Sequence, residues 1–280
     1  MSASATQPAA TPDAGAPARH TQQRKRQDRI RERVVADGFV RIPELAEEFR
    51  VSVMTIHRDL ETLERQGWLR RIRGGATAQP SALYHGDIRH RTATATTQKA
   101  SIAAAAEQFV EPGQALVVDD STTALQLVER LPALGPVTVI TNFLSAVKIL
   151  AGEPGIDLVC LGGEYYPAYD SFFGMQTVST MTSLRGDTLF MSTTAITDGR
   201  CYHLSQETIQ VKRALMAGVS RRILLVDHTK FSRNAVHELG RLSEFDVVIV
   251  DAEISEADLD MVRRAGPQVV VAETGTPADG

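Results

Sequence analysis

Residues 41–76 have the sequence RIPELAEEFRVSVMTIHRDLETLERQGWLRRIRGGA, which decides the fold of the N-terminal part of the chain. It predicts two helices joined by a short turn and followed by an arginine-rich hairpin. The first helix opens at Pro43, whose missing N–H would have no partner within a helix. Ser52 is a good N-cap for the second helix because its hydroxyl accepts from N–H groups of the next turn. This layout is typical of a domain that places its second helix in a DNA groove.

The second helix combines an apolar stripe with a polar face. Four apolar residues recur at helical spacing and predict a buried stripe: Val53, Ile56, Leu60 and Leu63. The remaining positions of the helix are therefore expected to point outward. A recognition helix contacts base edges mainly with its first residues. Four residues are accordingly expected nearest the DNA: Ser52, Thr55, His57 and Arg58.

The segment after this helix alternates and then turns at Gly74-Gly75, as a short wing does. Gly67 is expected to cap the helix that precedes it. Three wing residues are expected to contact DNA phosphates: Arg70, Arg71 and Arg73. The alternative is a solvated helical hairpin with a few surface arginines. Helix, cap, stripe and wing agree with one another, and this consistency favours a winged helix-turn-helix DNA-binding domain over residues 23–78.

The same stretch resembles the winged helix-turn-helix of the DeoR family of bacterial transcriptional regulators. That family has an ELA helix, a Val-Ser turn, a Thr-Ile-Arg-Arg-Asp-Leu helix, a Leu-Glu pair and an Arg-x-x-Gly-Gly-Ala wing. The chain matches this pattern with Glu44-Leu45-Ala46, Val51-Ser52, Thr55-Ile56, Arg58-Asp59-Leu60, Leu63-Glu64 and Arg73-Gly74-Gly75-Ala76. It departs at His57, where the family more often has Arg, so a permanent charge is absent there.

The charge distribution supports a DNA-binding module on a separate body. The 280 residues are enough for two domains, and their formal net charge is only −4. Between residues 19 and 75, however, 14 Lys and Arg stand against 9 Asp and Glu, whereas from residue 76 onward 16 stand against 24. A basic module joined to an acidic body is expected of a duplex binder with a separate regulatory part.

The segments outside the two domains have weak patterns. Residues 1–22 are rich in Ala, Thr, Pro and Ser and are expected to be a disordered tail. Residues 273–280 are expected to form a C-terminal tail. The basic triplet at residues 24–26 leads into a helix; it either contacts DNA phosphate or is a solvated basic start. Residues 79–97 are expected to be a linker that allows the two domains to move relative to each other.

Several classes of protein are not expected from this sequence. No apolar run approaches the roughly 20 residues that span a bilayer, and the N-terminus lacks an apolar signal region. A cytoplasmic protein without membrane association is therefore expected. Cys160 and Cys201 form neither a metal-ligand pair nor a disulfide framework and are expected to be reduced. No cofactor and no metal is expected.

From residue 98 onward, short apolar runs alternate with helical patterns. The runs are at 115–118, 137–140, 156–161, 189–191, 223–226, 247–250 and 269–271. Helices are predicted at 98–109, 123–130, 143–150, 207–217 and 256–264. The runs are mostly not alternating, as in strands that are covered on both faces. The pattern predicts an open, mostly parallel α/β sheet over residues 98–272.

Ligands of open α/β sheets bind beyond the carboxyl ends of the strands. In the first such loop, VVDDSTT, the strand ends at Val118, and Ser121, Thr122 and Thr123 offer hydroxyl and N–H groups at a helix N-terminus. Such a terminus binds anions readily, although it is also compatible with an N-cap with spare hydroxyls. Other strand ends add polar groups: Thr141, Asn142, Gly162, Gly163, Glu164, Asp227 and Lys230. Lys230 supplies charge for a phosphate or is a surface lysine.

Residues 99–271 resemble the effector domain of the DeoR family, which is similar in fold to ribose-5-phosphate isomerase and binds phosphorylated sugars or related metabolites. The matching positions are Asp119-Asp120-Ser121-Thr122-Thr123, Thr141-Asn142, Gly162-Gly163, Glu207 with Lys212-Arg213, and Asp227 with Lys230-Phe231. Ser121 replaces a glycine of the family's loop. The resemblance, together with two nearby carboxylates, implies an effector site of Asp119, Ser121, Thr122, Thr123, Thr141, Asn142, Gly163, Asp198, Glu207, Lys212 and Lys230.

An effector sensor is favoured over an enzyme. The isomerase-like fold carries acidic residues after the strand that here reads LFMSTTAI, whereas Ser192, Thr193 and Thr194 cannot act as general bases near neutral pH. The expected function is that of a homo-oligomeric repressor of carbohydrate metabolism genes that binds double-stranded operator DNA as a dimer or tetramer and is released or modulated by a phosphorylated sugar. The alternatives are a sugar-phosphate isomerase tethered to DNA and an architectural DNA binder whose large domain only oligomerises.

Overall fold

A computed structural model describes residues 16–37, 39–65, 69–78 and 88–273 of the chain. The chain divides into two compact units, Met1–Gln79 and Pro80–Gly280. Gly67, most of the predicted C-terminal tail and the first part of the predicted linker lie outside the described residues.

The N-terminal unit is built from three helices and a small antiparallel sheet. The elements are α1 (Ala16–Asp37), β1 (Phe39–Arg41), α2 (Ile42–Glu48), α3 (Val53–Arg65), β2 (Leu69–Ile72) and β3 (Gly75–Ala78). The strand order is β1-β3-β2. Because α1 begins at Ala16, the predicted disorder of residues 1–22 is wrong from that residue onward. Ala, Gln and Arg in this stretch are good helix formers, which favours the extension.

The apolar stripe of α3 differs from the prediction at its first residue. Ile56, Leu60 and Leu63 are buried, but Val53 is 49% exposed. Helical side chains lean toward the N-terminus, so the side chain of a first-turn residue projects past the helix end, where less of the domain packs. The expectation that all other positions point outward is wrong for Asp59, which is buried.

Two glycines shape the tip of the wing. Gly74 has a φ of +84° in the turn between β2 and β3, a conformation that suits glycine. At Gly75, which pairs with Arg41, a Cβ would lie 2.1 Å from the carbonyl oxygen of Val40. Glycine at this position therefore lets β3 approach β1, and the predicted wing is confirmed.

The large unit alternates strands and helices along its described length. Its elements are α4 (Ile88–Ala93), α5 (Thr96–Ala106), β4 (Ala115–Val118), α6 (Thr122–Val128), α7 (Leu131–Leu134), β5 (Val137–Thr141), α8 (Leu144–Leu150), β6 (Ile156–Cys160), β7 (Glu164–Tyr166), β8 (Ser171–Phe173), α9 (Met175–Thr182), β9 (Gly186–Met191), β10 (Ala195–Thr197), β11 (Arg200–His203), α10 (Gln206–Ala217), β12 (Val219–Val226), β13 (His237–Arg241), β14 (Val247–Asp251), α11 (Glu256–Ala265) and β15 (Gln268–Ala272).

The seven predicted apolar runs form one parallel sheet, which confirms the predicted fold class. The strand order is β15-β14-β12-β9-β4-β5-β6, and each neighbouring pair is parallel. Two hydrophobic clusters cover its faces, one containing Phe190 and Leu225 and the other Leu189 and Leu224. Successive residues of one strand thus point into different clusters, as the period of two requires. This double covering explains the continuous apolar runs.

Two smaller sheets were not predicted. Strands β7 and β8 pair as an antiparallel hairpin, and β10, β11 and β13 form a three-stranded antiparallel sheet. Residues 88–93, which fall in the predicted linker, are also helical, and the Ile88 N–H donates to the Ala168 carbonyl at 2.9 Å. The second part of the predicted linker therefore belongs to the large unit. No helix in the described part of the chain is long and apolar enough to cross a membrane.

Candidate functional site

The start of α3 presents the side chains that were expected to face DNA. The Ser52 hydroxyl accepts from the Thr55 N–H at 3.2 Å and caps the helix as predicted. His57 and Arg58 are exposed on the following turn, and Met54 beside them is 62% exposed. The first two turns of α3 are therefore free of packing within the domain on this face.

Behind this surface, Asp59 is held by residues of α1. Its carboxylate accepts from Arg26 Nε at 2.6 Å, Gln27 Nε2 at 2.9 Å and Gln23 Nε2 at 3.4 Å. Arg26 had two expected roles, a phosphate contact or a solvated helix start, and it has instead a buried ion pair that joins α1 to α3. The Asp of the Arg-Asp-Leu sequence thus has a structural explanation.

The three wing arginines differ in their contacts. Arg71 donates from its backbone N–H and from Nε to Glu64, both at 2.7 Å, and these hydrogen bonds lower the pKa of the Glu64 carboxyl. Arg70 and Arg73 are exposed. The pairing fixes the Arg71 side chain against α3, so Arg70 and Arg73 are the better placed of the three to reach a phosphate.

In the large unit, a polar cavity opens at the carboxyl edge of the central strands. It lies where β4 and β9 end and α6 begins, and its empty volume is about 500 Å³, including solvent space at its mouth. Its lining residues come from at least five elements and their adjoining loops: Arg91, Asp120, Ser121, Thr122, Thr123, Tyr169, Ser192, Thr193, Thr194, His203, Leu204, Lys212, Lys230 and Arg233. Ser121 is the N-cap of α6, and its hydroxyl accepts from the Ala124 N–H at 3.1 Å.

The floor of the cavity is a buried charge cluster around Lys212. Its ammonium group donates to Asp119 and to the Ser192 carbonyl at 3.2 Å, and it lies 3.3 Å from Asp120 Oδ1. Asp119 also accepts from the N–H groups of Ser121 at 3.0 Å and Ser192 at 2.9 Å. Burial opposes the charge on Lys212, but the two carboxylates raise its pKa. Asp119 is thus fully occupied behind the cavity surface.

Three further cations line the cavity, and we call Arg91, Lys230 and Arg233 the cationic set. Burial lowers the pKa of Lys230 to about 8, although Asp227, 3.5 Å away, favours its charge. The Arg91 guanidinium donates from Nη1 to the Asp120 carbonyl at 3.1 Å. Its buried Nε and Nη2 atoms have no hydrogen-bond partner among the described residues. An anion in the cavity would give these N–H groups acceptors.

Six of the predicted effector residues do not line this cavity, and Asp119, which is occupied behind the cavity surface, is one of them. Thr141 Oγ1 accepts from the Phe143 N–H at 3.0 Å, and Asn142 Nδ2 donates to the Phe172 carbonyl at 2.9 Å, so both fix loops. At Gly163 a Cβ would lie 2.5 Å from the Phe173 carbonyl oxygen, so this glycine permits close backbone packing.

The two predicted carboxylates are also elsewhere. Asp198 is exposed in the β10–β11 turn, beside a separate surface groove, and Glu207 is exposed and accepts from the Ser205 hydroxyl at 2.8 Å. Ser121, Thr122, Thr123, Lys212 and Lys230 are brought together as expected.

Sequence reasoning missed several cavity residues. Arg91 was placed in a linker, Tyr169 follows an unpredicted strand, and His203 ends another. The basic character of His90-Arg91 next to the weakly patterned segment was the available signal for Arg91. For His203 the sequence offered no signal, because its position depends on a small sheet whose strands are only three to five residues long.

One cluster among the described residues has the composition of a metal site, namely His228, Asp251 and Glu253, whose potential ligand atoms lie within 4.8 Å of one another. These atoms already have protein partners. His228 Nδ1 hydrogen-bonds Asp251 at 2.9 Å, the His228 N–H donates to the same carboxylate at 2.6 Å, and Gln98 donates to Glu253. The cluster is therefore explained as a hydrogen-bonded link between the ends of β12 and β14.

Two sequence families match the chain. The DeoR-like helix-turn-helix domain matches residues 26–82, and the DeoR C terminal sensor domain matches residues 94–252.

Relatives match over most of their length. The putative aga operon transcriptional repressor of Escherichia coli O157:H7 is 29% identical, covering 92% of this chain and 97% of the relative. The glycerol-3-phosphate regulon repressor of Escherichia coli K12 is 31% identical, covering 82% and 91%. The lactose phosphotransferase system repressor of Lactococcus lactis is 30% identical, covering 85% and 94%.

Among solved structures, ribose 5-phosphate isomerase A from Methanocaldococcus jannaschii matches 48% of this chain and 53% of its own, with 18% identity and a TM-score of 0.34. The structure of eIF2B delta from Chaetomium thermophilum matches 70% of this chain and 62% of its own, with 15% identity and a TM-score of 0.40. At these scores neither similarity bears on function.

Proposed function

The chain belongs to the DeoR family of transcriptional regulators, and from that premise we propose that it represses genes of carbohydrate metabolism and that a phosphorylated sugar in the cavity of the large domain controls its binding to operator DNA. The relatives named for the aga, glycerol-3-phosphate and lactose systems support the carbohydrate assignment. Because operator DNA lies in the bacterial cytoplasm, we place the protein there.

The observation that carries the proposed effector site is that two buried N–H groups of a cationic side chain, Arg91, have no hydrogen-bond partner among the described residues. Lys230 and Arg233 line the same space. Leaving a buried donor unsatisfied costs about 1–3 kcal/mol, and more for a charged group. The N-terminus of α6 adds its own preference for negative charge. A phosphate bound here would offset these costs, which supports the proposal that the cavity binds the phosphate of the effector.

The proposed binding to operator DNA follows from the family match and from the exposed face of α3. Thr55, His57 and Arg58 would contact base edges, while Arg70 and Arg73 would contact phosphates. A homo-oligomer, either dimer or tetramer, would place two such helices on half-sites about one helical turn apart. Ligand binding would favour the arrangement in which this spacing is wrong.

Arg91 lines the cavity and also lies on the first described helix after the DNA-binding domain in the sequence. It lies on α4, the first described element after residues 79–87, which follow the wing. The Arg91 carbonyl accepts from Lys99 Nζ and, at 3.3 Å, from the Thr122 hydroxyl, so α4 is tied to the cavity by backbone as well as side chain. A ligand held by Arg91 would stabilise one position of α4. A ligand shifts such an equilibrium only by its difference in affinity between the two states.

The test begins with a duplex selected from a random library by the purified protein. Its affinity is then measured with and without glycerol 3-phosphate, ribose 5-phosphate, glucose 6-phosphate and tagatose 6-phosphate, and with the same sugars lacking phosphate. At least one phosphorylated compound should weaken binding by a factor of about 5–150, the usual range of allosteric coupling. If every compound leaves the affinity unchanged, the effector half of the proposal is wrong.

An isomerase would need a general base, and the carboxylate that lines the cavity is poorly suited to be one. Asp120 is the carboxylate that lines it within the described chain, and although burial opposes its ionisation, Lys212 and Arg91 lower its pKa. A carboxylate with a lowered pKa is a weak base. We therefore propose a sensor without catalysis, and ketose formation from ribose 5-phosphate would contradict it.

A further inference from the structure

The residues that line the cavity include a second class of unsatisfied group, which is uncharged. Within the described residues, the Ser192 hydroxyl and His203 Nε2 are buried without a hydrogen-bond partner. Both residues line the cavity together with Thr193 and Thr194. None of these side chains carries a positive charge at neutral pH, so we call Ser192 and His203 the neutral pair, in contrast to the cationic set.

The imidazole of His203 is held in its uncharged form. Its Nδ1 lies 3.0 Å from the Thr194 hydroxyl, which fixes the ring. Burial, together with the positive charges of Lys212, Arg91 and Lys230, holds its pKa well below the usual value, and Asp120 opposes this only in part. A neutral imidazole has one donor and one acceptor nitrogen. Whichever nitrogen carries the proton, Nε2 suits a hydroxyl group, which can both donate and accept.

The surroundings of Ser192 fix its backbone, whereas its hydroxyl has no hydrogen-bond partner in the part of the chain that the structure describes. Its N–H donates to Asp119 at 2.9 Å, and its carbonyl accepts from Lys212 at 3.2 Å. The neighbouring Thr193 hydroxyl, by contrast, donates to the Tyr202 carbonyl at 2.8 Å. Of two adjacent hydroxyls in this loop, which lines the cavity, one is thus used within the fold and the other has no hydrogen-bond partner among the described residues. That difference indicates that a bound molecule supplies the partner of Ser192.

We infer that His203 and Ser192 determine ligand specificity by hydrogen-bonding hydroxyl groups on the carbon chain of the effector, while the cationic set binds its phosphate. This inference rests on the proposed function and extends it. A ligand without such hydroxyls leaves the buried polar atoms unpaired, and a site built to hydrogen-bond a hydroxyl rejects analogues that lack it. The protein should therefore bind a polyhydroxylated phosphate more tightly than inorganic phosphate.

The experiment is calorimetric titration of the full chain with inorganic phosphate and with glycerol 3-phosphate, ribose 5-phosphate, glucose 6-phosphate and tagatose 6-phosphate. The variants are His203→Leu, His203→Gln and Ser192→Ala, with the exposed Ser220→Ala as a matched control. His203→Leu should weaken the tightest sugar phosphate about tenfold or more and inorganic phosphate less than about twofold. His203→Gln should recover part of the loss because its amide provides polar atoms near Nε2. Ser192→Ala should have a smaller effect of the same kind.

Ser192→Ala removes one oxygen atom and keeps the backbone contacts, so it carries the test if His203→Leu does not fold. Equal weakening of sugar phosphates and inorganic phosphate in both variants would overturn the inference, because the residues would then act on the site as a whole. A wild-type protein that binds inorganic phosphate as tightly as every sugar phosphate would overturn it too, while leaving the phosphate site intact. Failure to bind any phosphate would remove the proposed effector function itself.

Discussion

Arg26 and Arg91 are both largely enclosed arginines, and their surroundings differ in a way that separates structure from function. In the N-terminal domain, Arg26 meets the buried Asp59, which also accepts from Gln27. In the large domain, Arg91 contacts a carbonyl group and the ring of Tyr169, while two of its buried nitrogen atoms lack partners in the described chain. A satisfied buried charge joins elements of the fold. An unsatisfied one destabilises the domain, and we propose that a bound ligand supplies its missing partners.

The largest effect is expected from breaking the satisfied pair. Asp59→Ala leaves the Arg26 guanidinium without its carboxylate, and removal of one partner of a buried ion pair costs about 3–5 kcal/mol. The exposed pair of Glu64 and Arg71 is the control, because surface pairs contribute about 0–1 kcal/mol. Urea unfolding followed by circular dichroism measures both variants. Similar losses for Asp59→Ala and Glu64→Ala would show that the buried pair has no special role.

The second largest effect is expected at Arg91, where a substitution should weaken ligand binding and leave the stability of the fold nearly unchanged. Arg91→Met keeps an apolar side chain of similar length and removes the unsatisfied N–H groups. The affinity for phosphorylated ligands should fall about tenfold to hundredfold, because a charge-assisted hydrogen bond contributes about 1.5–3 kcal/mol. The free energy of unfolding should change by less than about 1 kcal/mol, since the lost packing is offset by the removal of buried donors. A large loss of stability with unchanged affinity would assign Arg91 to the fold instead.

The exposed arginines of the DNA-binding domain should differ in how their substitution changes the affinity for specific and random DNA. Arg58→Ala should cost about 1–3 kcal/mol on the selected duplex and much less on random DNA, because Arg58 lies on the face expected to contact bases. Arg70→Ala should weaken both duplexes alike and reduce the salt slope by about one. Fluorescence anisotropy across a salt series measures both. Equal losses on the two duplexes for Arg58→Ala would contradict a base contact.

The smallest effect should come from pH, through Lys230. Its pKa of about 8 means that it loses its charge as the pH rises above that value, so phosphate affinity should fall by at most about tenfold per pH unit. Lys99, which burial also shifts to about 8, contributes to the same loss. Lys230→Arg should flatten the profile in part, because guanidinium stays charged.

Without ligand, the free energy of unfolding should rise with pH, whereas the phosphate affinity should fall. A lysine with a folded pKa near 8 and an unfolded pKa near about 10.4 binds fewer protons when folded, so these two lysines make unfolding less favourable as the pH rises between those values. Thermal unfolding without ligand, in wild type and Lys230→Met, isolates this contribution. A wild-type profile identical to that of the variant would contradict the lowered pKa.

Features that depend on neighbouring residues in the sequence could be predicted, whereas features that depend on distant contacts could not. Strands such as β4 and β14 were found because parallel strands covered on both faces are continuous apolar runs. The sequence placed Ser121, Thr122 and Thr123 at the cavity because Ser121 stands where a strand ends and a helix begins. Arg91 and His203 could not be assigned, because each reaches the cavity through contacts made far along the chain. Asp198 and Glu207 do not line the cavity, since nearness in sequence to strand ends does not fix the direction of a side chain.

The central claim is that a phosphate bound through the unsatisfied nitrogen atoms of Arg91 changes affinity for DNA. The most direct measurement is the dissociation constant for the selected duplex, with and without the tightest sugar phosphate, in wild type and in Arg91→Met. The wild-type constant should rise about fivefold or more on addition of ligand, and that of Arg91→Met should change by less than about twofold at the same ligand concentration, with both proteins binding equally well in its absence. An equal response of the two proteins to saturating ligand, or no response in wild type, would contradict the account.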